Sequence, residues 1–134
     1  MQARNRRRSA AACVPLLIAL GLASRFPGTG PVADAAGGVF YAVLIYVLLV
    51  LLRPGAAMLS NALGALGFCV ALELFQLTEI PLELASVFAP VRLVLGTTFV
   101  PLDLLAYAIG AAAAPIADLL LGRIRSAAPG SLPR

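Results

Sequence analysis

The sequence contains no histidine, no lysine and no tryptophan, and its 134 residues include only two cysteines. Without histidine, the usual zinc and haem ligand sets are missing, so we expect no metal and no cofactor. A general base would have to be a carboxylate with a raised pKa, such as Glu73 or Asp103. The hydroxyls of Ser24, Thr97 and Thr98 have no recognisable base, and nucleophile, phosphate-loop and zinc-protease motifs are absent. We therefore assign no catalytic residue, and a carboxylate-based membrane enzyme is the less favoured interpretation.

Charge is also scarce, because charged residues make up 12% of the chain and hydrophobic residues 61%. Soluble domains have on average about 25% charged and about 45–50% apolar residues. The ten basic residues are all arginines, and they lie at the ends of apolar runs. Nucleic-acid modules instead interleave basic and aromatic residues on one soluble face. The composition therefore predicts a membrane protein and argues against a nucleic-acid partner.

Four apolar segments predict an all-α membrane protein, a bundle of four transmembrane helices. A spanning helix needs about 20 mostly apolar residues, which the second, third and fourth segments provide, whereas the first is short. The segments cover residues 10–24, 35–52, 56–77 and 101–121. They divide the chain into a basic N-terminus (1–9), a membrane domain (10–122) and a C-terminal tail (123–134).

The connection between the third and fourth segments, residues 78–100, is interrupted by Pro81 and Pro90. Proline fixes its own φ and disfavours helix in the residue before it, so one continuous span is not expected here. We predict a short interfacial or re-entrant helix near residues 82–88.

The arginine distribution predicts the orientation. With the N-terminus inside, eight arginines lie on the inner side, and only Arg25 and Arg92 lie outside. Both termini should then be cytoplasmic. The alternative is a cleaved signal peptide ending near residues 33–35. The long gap between Leu22 and that site, which contains prolines and glycines, disfavours it.

Polar residues gather at the predicted outer side. Glu73 and Gln76 share a helix face, and Asp103, Tyr107 and Gly110 form one stripe on the last helix. The candidate binding site consists of Arg25, Glu73, Gln76, Arg92, Asp103 and Tyr107. These charges either neutralise one another and fix helix register, or form an outward-facing pocket for a headgroup, small anion or peptide. Arginine suits phosphate or carboxylate groups because its planar fork donates two hydrogen bonds.

A further alternative is an accessory subunit that packs on a larger membrane complex. Small residues allow helices to approach closely. Two such surfaces are present, Gly64 with Gly67 and Gly110 with Ala114. Either one predicts a membrane protein partner.

Four ordered motifs resemble a known bacterial family. They are GLASR at residues 21–25, ELFQL at 73–77, RLVLGTTF at 92–99 and DLLAYAIG at 103–110. The set resembles the small membrane proteins grouped as domain of unknown function 2809, and its second and fourth motifs are also similar to VanZ-like proteins. One departure is Gly37-Gly38 with Tyr41 downstream, where the family tends to carry Gly-Asp and an aromatic residue. Whether Asp34 replaces that acid is left open.

The resemblance implies a multi-pass protein of the bacterial cell membrane, although the family has no established activity. VanZ-like proteins are associated with resistance to teicoplanin-type glycopeptide antibiotics. The resemblance therefore implies a site near cell-wall precursors in the cell envelope. We expect membrane lipids as partners, and an anionic lipid headgroup or an envelope precursor as the ligand of the polar cluster.

Overall fold

The computed structural model describes residues 2–25 and 30–127. This part of the chain contains helices and no strand, which confirms the all-helical fold class. The helices are α1 (Gln2–Ala23), α2 (Gly30–Leu52), α3 (Met58–Phe75), α4 (Ile80–Val87), α5 (Val91–Leu95) and α6 (Pro101–Ala127).

The four long helices, α1, α2, α3 and α6, pack into a bundle with two polar ends. At one end, Arg6 near the start of α1 bonds to Asp118 late in α6 and to the Pro54 carbonyl oxygen between α2 and α3. This basic end carries Arg4, Arg6, Arg7, Arg8, Arg53 and Arg123. At the other end, Gln76 after α3 bonds to the Leu95 carbonyl oxygen of α5. Helices α4 and α5 belong to this second end, which we call the cavity end.

Three helices are long and apolar enough to cross a membrane: Gly30–Leu52, Met58–Phe75 and Pro101–Ile124. These helices give the chain the character of a multi-pass membrane protein. Helix α1 has 22 residues, but its first two turns carry four arginines and it is not one of these candidate spans. Length and composition therefore support three of the four predicted spans.

Large apolar side chains cover the outside of the bundle. Leu59, Leu105 and Ile116 are 69%, 58% and 59% exposed, for example. Soluble monomers rarely expose such wide apolar surfaces, whereas lipid tails are as apolar as leucine and accept them. The outer surface therefore fits a hydrocarbon environment.

Small residues form the helix contacts. Ala42, Ala65 and Cys69 are completely buried. At Gly110, a Cβ atom would lie only 2.6 Å from the Val39 carbonyl oxygen and 2.8 Å from the Cβ atom of Ala42. Helix α2 therefore already occupies the Gly110 surface of α6, as the small-residue rule for membrane helices leads one to expect.

The helix bounds differ from the apolar segments at several points. Helix α1 begins at Gln2 rather than at residue 10, because arginine is a good helix former and the turn of arginines continues the helix. Helix α6 continues to Ala127, and the rest of the predicted tail lies outside the described residues. The short helix α4 begins at Ile80, with Pro81 in its first turn where no amide donor is needed. The five-residue helix α5 was not predicted.

Candidate functional site

A polar cavity of about 270 Å³ lies at the cavity end of the bundle. Its walls come from α2, the end of α3, α5, the start of α6 and the connection that leads into α6. The polar side chains that line it are Arg25, Asp34, Tyr41, Gln76, Thr97, Thr98, Asp103 and Tyr107. The cavity thus collects polar groups that are far apart in the sequence.

Glu73 lies beneath this cavity and is completely buried. One carboxylate oxygen accepts a hydrogen bond from the backbone N–H of Val100, and the other accepts one from the Tyr107 hydroxyl at 3.2 Å. A buried carboxylate is costly unless it is hydrogen-bonded, and both oxygens here have a partner. Glu73 therefore holds residues 96–100, which we call the strap, against α6.

Two further side chains hold α5 next to the strap. The Gln76 side-chain amide donates to the Leu95 carbonyl oxygen at 2.6 Å, and the Tyr41 hydroxyl donates to the Val94 carbonyl oxygen at 2.9 Å. Gly96 begins the strap with a φ of +66°, and a Cβ atom there would lie 2.5 Å from Gln76 Nε2. Only glycine combines this backbone conformation with such a close approach. The cavity wall is therefore fixed by α2 and α3.

The charges around the cavity are not in direct contact with one another. Arg25 and Asp34 are exposed, and Asp103 is partly buried within electrostatic reach of both. Within residues 2–25 and 30–127, the one salt bridge joins Arg6 and Asp118 at the opposite end of the bundle. Mutual neutralisation by contact therefore does not account for the cavity charges.

The described residues hold no cluster of three or more histidine, cysteine or acidic side chains placed to bind a metal ion. The cavity instead offers one guanidinium, two carboxylates, hydroxyls and an amide. This set can donate to an anionic group and accept from hydroxyl or ammonium groups.

The structure brings most of the predicted site residues together. Arg25, Gln76, Asp103 and Tyr107 line the cavity, and Glu73 lies directly beneath it. Arg92 is exposed on α5 and is not a cavity-lining residue. Orientation rules placed both arginines on one side of the membrane, but they do not place two residues in one pocket.

Sequence reasoning did not include Asp34 and Tyr41 in the site. Asp34 precedes Gly38 by one helical turn, so that the two share a face. At Gly38, a Cβ atom would lie 2.9 Å from the Cβ atom of Ala106 and 3.8 Å from a carboxylate oxygen of Asp103. This close contact between α2 and α6 is visible only in the structure, and it brings the residue one turn away beside Asp103. The sequence offered only the one-turn spacing between Asp34 and a glycine, a residue on which helices pack closely. Asp34 is therefore the acidic residue that α2 contributes to the cavity.

A second polar cluster, at the basic end, was also missed. Arg6 donates to Asp118 Oδ2 at 2.8 Å and to the carbonyl oxygens of Pro54 and Ala56 at 2.9 and 2.8 Å. The Tyr46 hydroxyl donates to the same Asp118 oxygen at 2.8 Å. These bonds join α1, α2, the α2–α3 connection and α6. We call Arg6, Tyr46 and Asp118 the Arg6 cluster.

The fold and the cavity together define a small helical protein of membrane character with a polar cavity at one end. A family model described as a protein of unknown function, DUF2809, matches residues 28–111. The chain therefore belongs to this family, and the match covers every cavity-lining residue except Arg25. No curated protein and no solved structure matches the chain.

Proposed function

We propose that this chain is a four-span protein of the bacterial cell membrane, with α1 as the fourth span and both termini in the cytoplasm. The part of α1 from Ser9 to Ala23 carries no charge and is about 22 Å long. The arginines before it can extend their side chains to the interface, so that α1 would cover a hydrocarbon core about 30 Å thick. Helix α1 packs along α2, which is itself a candidate span. The concentration of arginines at the basic end supports a cytoplasmic position for that end, with the cavity at the outer surface.

We further propose that the cavity binds the polar headgroup of a lipid or envelope precursor without catalysing a reaction. The observation that carries this proposal is a cavity whose guanidinium and carboxylates are not paired with one another. Arg25 would bind a phosphate or carboxylate group, for which its planar fork is suited. Asp34 and Asp103 would accept hydrogen bonds from hydroxyl or ammonium groups of the same ligand.

The position of Glu73 favours binding over catalysis. Both oxygens of this buried carboxylate are engaged by Val100 and Tyr107, so that it supports the cavity wall and does not line it. The similarity of the ELFQL and DLLAYAIG motifs to VanZ-like proteins supports a ligand from the cell envelope, by analogy at the level of the fold.

A second proposal is that the chain is an accessory subunit of a larger membrane complex. Gly67 on α3 is exposed, and a Cβ atom there would meet nothing within 4 Å. Its neighbours Leu63 and Phe68 are also exposed. Helix α2 already covers Gly110, and Leu49 of α2 lies against Gly64. The surface for another protein would therefore be the Gly67 side of α3.

Exchange of Arg25 for glutamine tests the cavity proposal. We use glycerol phosphate as the probe, because it carries a phosphate and hydroxyls but no acyl chain. Loss of a charged hydrogen-bond partner costs about 1.5–3 kcal/mol, so the dissociation constant measured by titration calorimetry should rise about 10-fold or more. Arg92→Gln is the matched control, because it removes the same charge from an exposed residue at the same end of the bundle.

Equal losses in both variants would mean that only the general positive charge matters, and no loss in Arg25→Gln would remove the guanidinium from the site. Arg25→Gln protein that no longer accumulates in membranes would support the structural interpretation of these charges. Wild-type protein that does not bind glycerol phosphate would contradict this headgroup chemistry.

A further inference from the structure

A second cavity, of about 220 Å³, lies between α1 and α6 near the basic end, with α2 as its floor. We call it the groove. Its apolar lining includes Cys13, Leu17, Val43, Val47, Ala117 and Leu121. The polar groups Arg6, Ser9 and Asp118 line it as well. The groove is thus an aliphatic channel with polar groups at the basic end.

The length of the groove matches one leaflet of a bilayer. Along α1 its lining extends from Arg6 to Leu17, and eleven residues of helix rise by about 16 Å. Half of the hydrocarbon core is about 15 Å thick. A chain that enters beside the polar groups would therefore end near the middle of the membrane.

The charge around the polar end of the groove is strongly positive. Six arginines belong to the basic end, and Asp118 is the one acidic residue among the described residues there. The donors of Arg6 are engaged within the Arg6 cluster, whereas Arg4, Arg7 and Arg8 are exposed. Basic sites of this kind between membrane helices attract anionic headgroups.

We propose that the groove holds one acyl chain of an anionic phospholipid from the leaflet at the basic end. Its headgroup lies at the polar end of the groove, within the positive potential of the basic end. A second copy of this chain in the same orientation would bring another basic end to this place, and like charges repel. The proposal rests on the proposed membrane position of α1, and it is independent of the ligand of the polar cavity.

Photo-crosslinking in vesicles tests this proposal. The full chain is reconstituted in phosphatidylethanolamine with phosphatidylglycerol that carries a diazirine in one acyl chain, and the labelled residues are mapped by mass spectrometry. We expect Cys13 and Ala117 to be labelled at least threefold more than Leu59 and Leu63, which are exposed on α3 but line no groove. The same diazirine chain on phosphatidylcholine should label the groove at least threefold less than on phosphatidylglycerol.

Two variants with the same added volume give the matched comparison. Ala117→Phe fills the groove and should lower its labelling at least threefold. Ala112→Phe places the ring at an exposed position of α6 outside the groove and should leave the labelling unchanged. Arg25→Gln should also leave it unchanged, so that failure of the cavity proposal is distinguishable from failure of this one.

Uniform labelling of all apolar surfaces in the wild-type chain would overturn the groove site. This comparison needs no variant. Equal labelling by the phosphatidylcholine probe would overturn the anionic headgroup. If Ala117→Phe instead converts a dimer into a monomer, the groove is an interface between two copies and the proposal is wrong.

Discussion

Replacement of Glu73 by leucine is expected to lower the free energy of unfolding by about 2–5 kcal/mol. The Val100 N–H and the Tyr107 hydroxyl would lose their acceptor. An unsatisfied buried polar group costs about 1–3 kcal/mol, and the part-buried Val100 N–H should cost less than the buried Tyr107 hydroxyl. The strap should detach as well. An SDS titration followed by circular dichroism measures the stability, and the rate of tryptic cleavage at the exposed Arg92 measures release of α5 and the strap.

Glu73→Gln is the control for this prediction. A carboxamide has nearly the same shape, its oxygen can accept from Val100, and its NH2 group can donate to the Tyr107 oxygen. We therefore expect it to retain most of the stability and the slow cleavage at Arg92. Equal stability in the leucine and glutamine variants would show that Glu73 does not hold the strap.

Replacement of Arg6 by glutamine is expected to lower the stability by about 3 kcal/mol. The side chains of Arg6 and Asp118 are only 16% and 17% exposed, and removal of one partner leaves the other charge buried without its counter-ion. Arg7→Gln is the matched control, since it removes the same charge from an exposed neighbour. An SDS titration of both variants measures the difference.

A double-mutant cycle isolates the contact between the two side chains. If Arg6 stabilises the bundle through Asp118, Arg6→Gln should cost much less in an Asp118→Asn background than in the wild-type chain. Equal losses for Arg6→Gln and Arg7→Gln would mean that the arginines act only through the overall charge of the basic end.

Most of the fold could be predicted from apolar runs, because the long helices that form the bundle are continuous in the sequence. Their ends could not be predicted as well. The arginines before residue 10 continue α1 instead of preceding it, since hydropathy does not report helix propensity. Helix α5 could not be predicted either, because its five residues are too few to show a periodic pattern.

The candidate site was predictable where helix geometry fixes neighbours within one segment. Glu73 and Gln76 share a face by spacing alone, and both contribute to the cavity region in the structure. Contacts between different segments could not be predicted from residue spacing. Arg6 and Asp118 are separated by 112 positions, and no local rule pairs them.

The distinction between Arg25 and Arg92 also needed the three-dimensional structure. The arginine count predicts that both residues lie on the outer side of the membrane. In the structure, Arg25 lies just after α1 beside the cavity, whereas Arg92 is exposed on α5. A topology rule reports the side of the membrane, and packing decides which residues meet.

Both proposed binding sites require a bundle that crosses the membrane with its basic end inside and its cavity end outside. Labelling of single cysteines in intact cells tests this most directly. In a chain with Cys13→Ser and Cys69→Ala, a cysteine is placed at Ala3 near the start of α1 or at Thr78 after α3, both of which are exposed. We expect a membrane-impermeant maleimide to label Thr78→Cys in intact cells and to label Ala3→Cys only after permeabilisation. Labelling of Ala3→Cys in intact cells would contradict a cytoplasmic N-terminus and basic end.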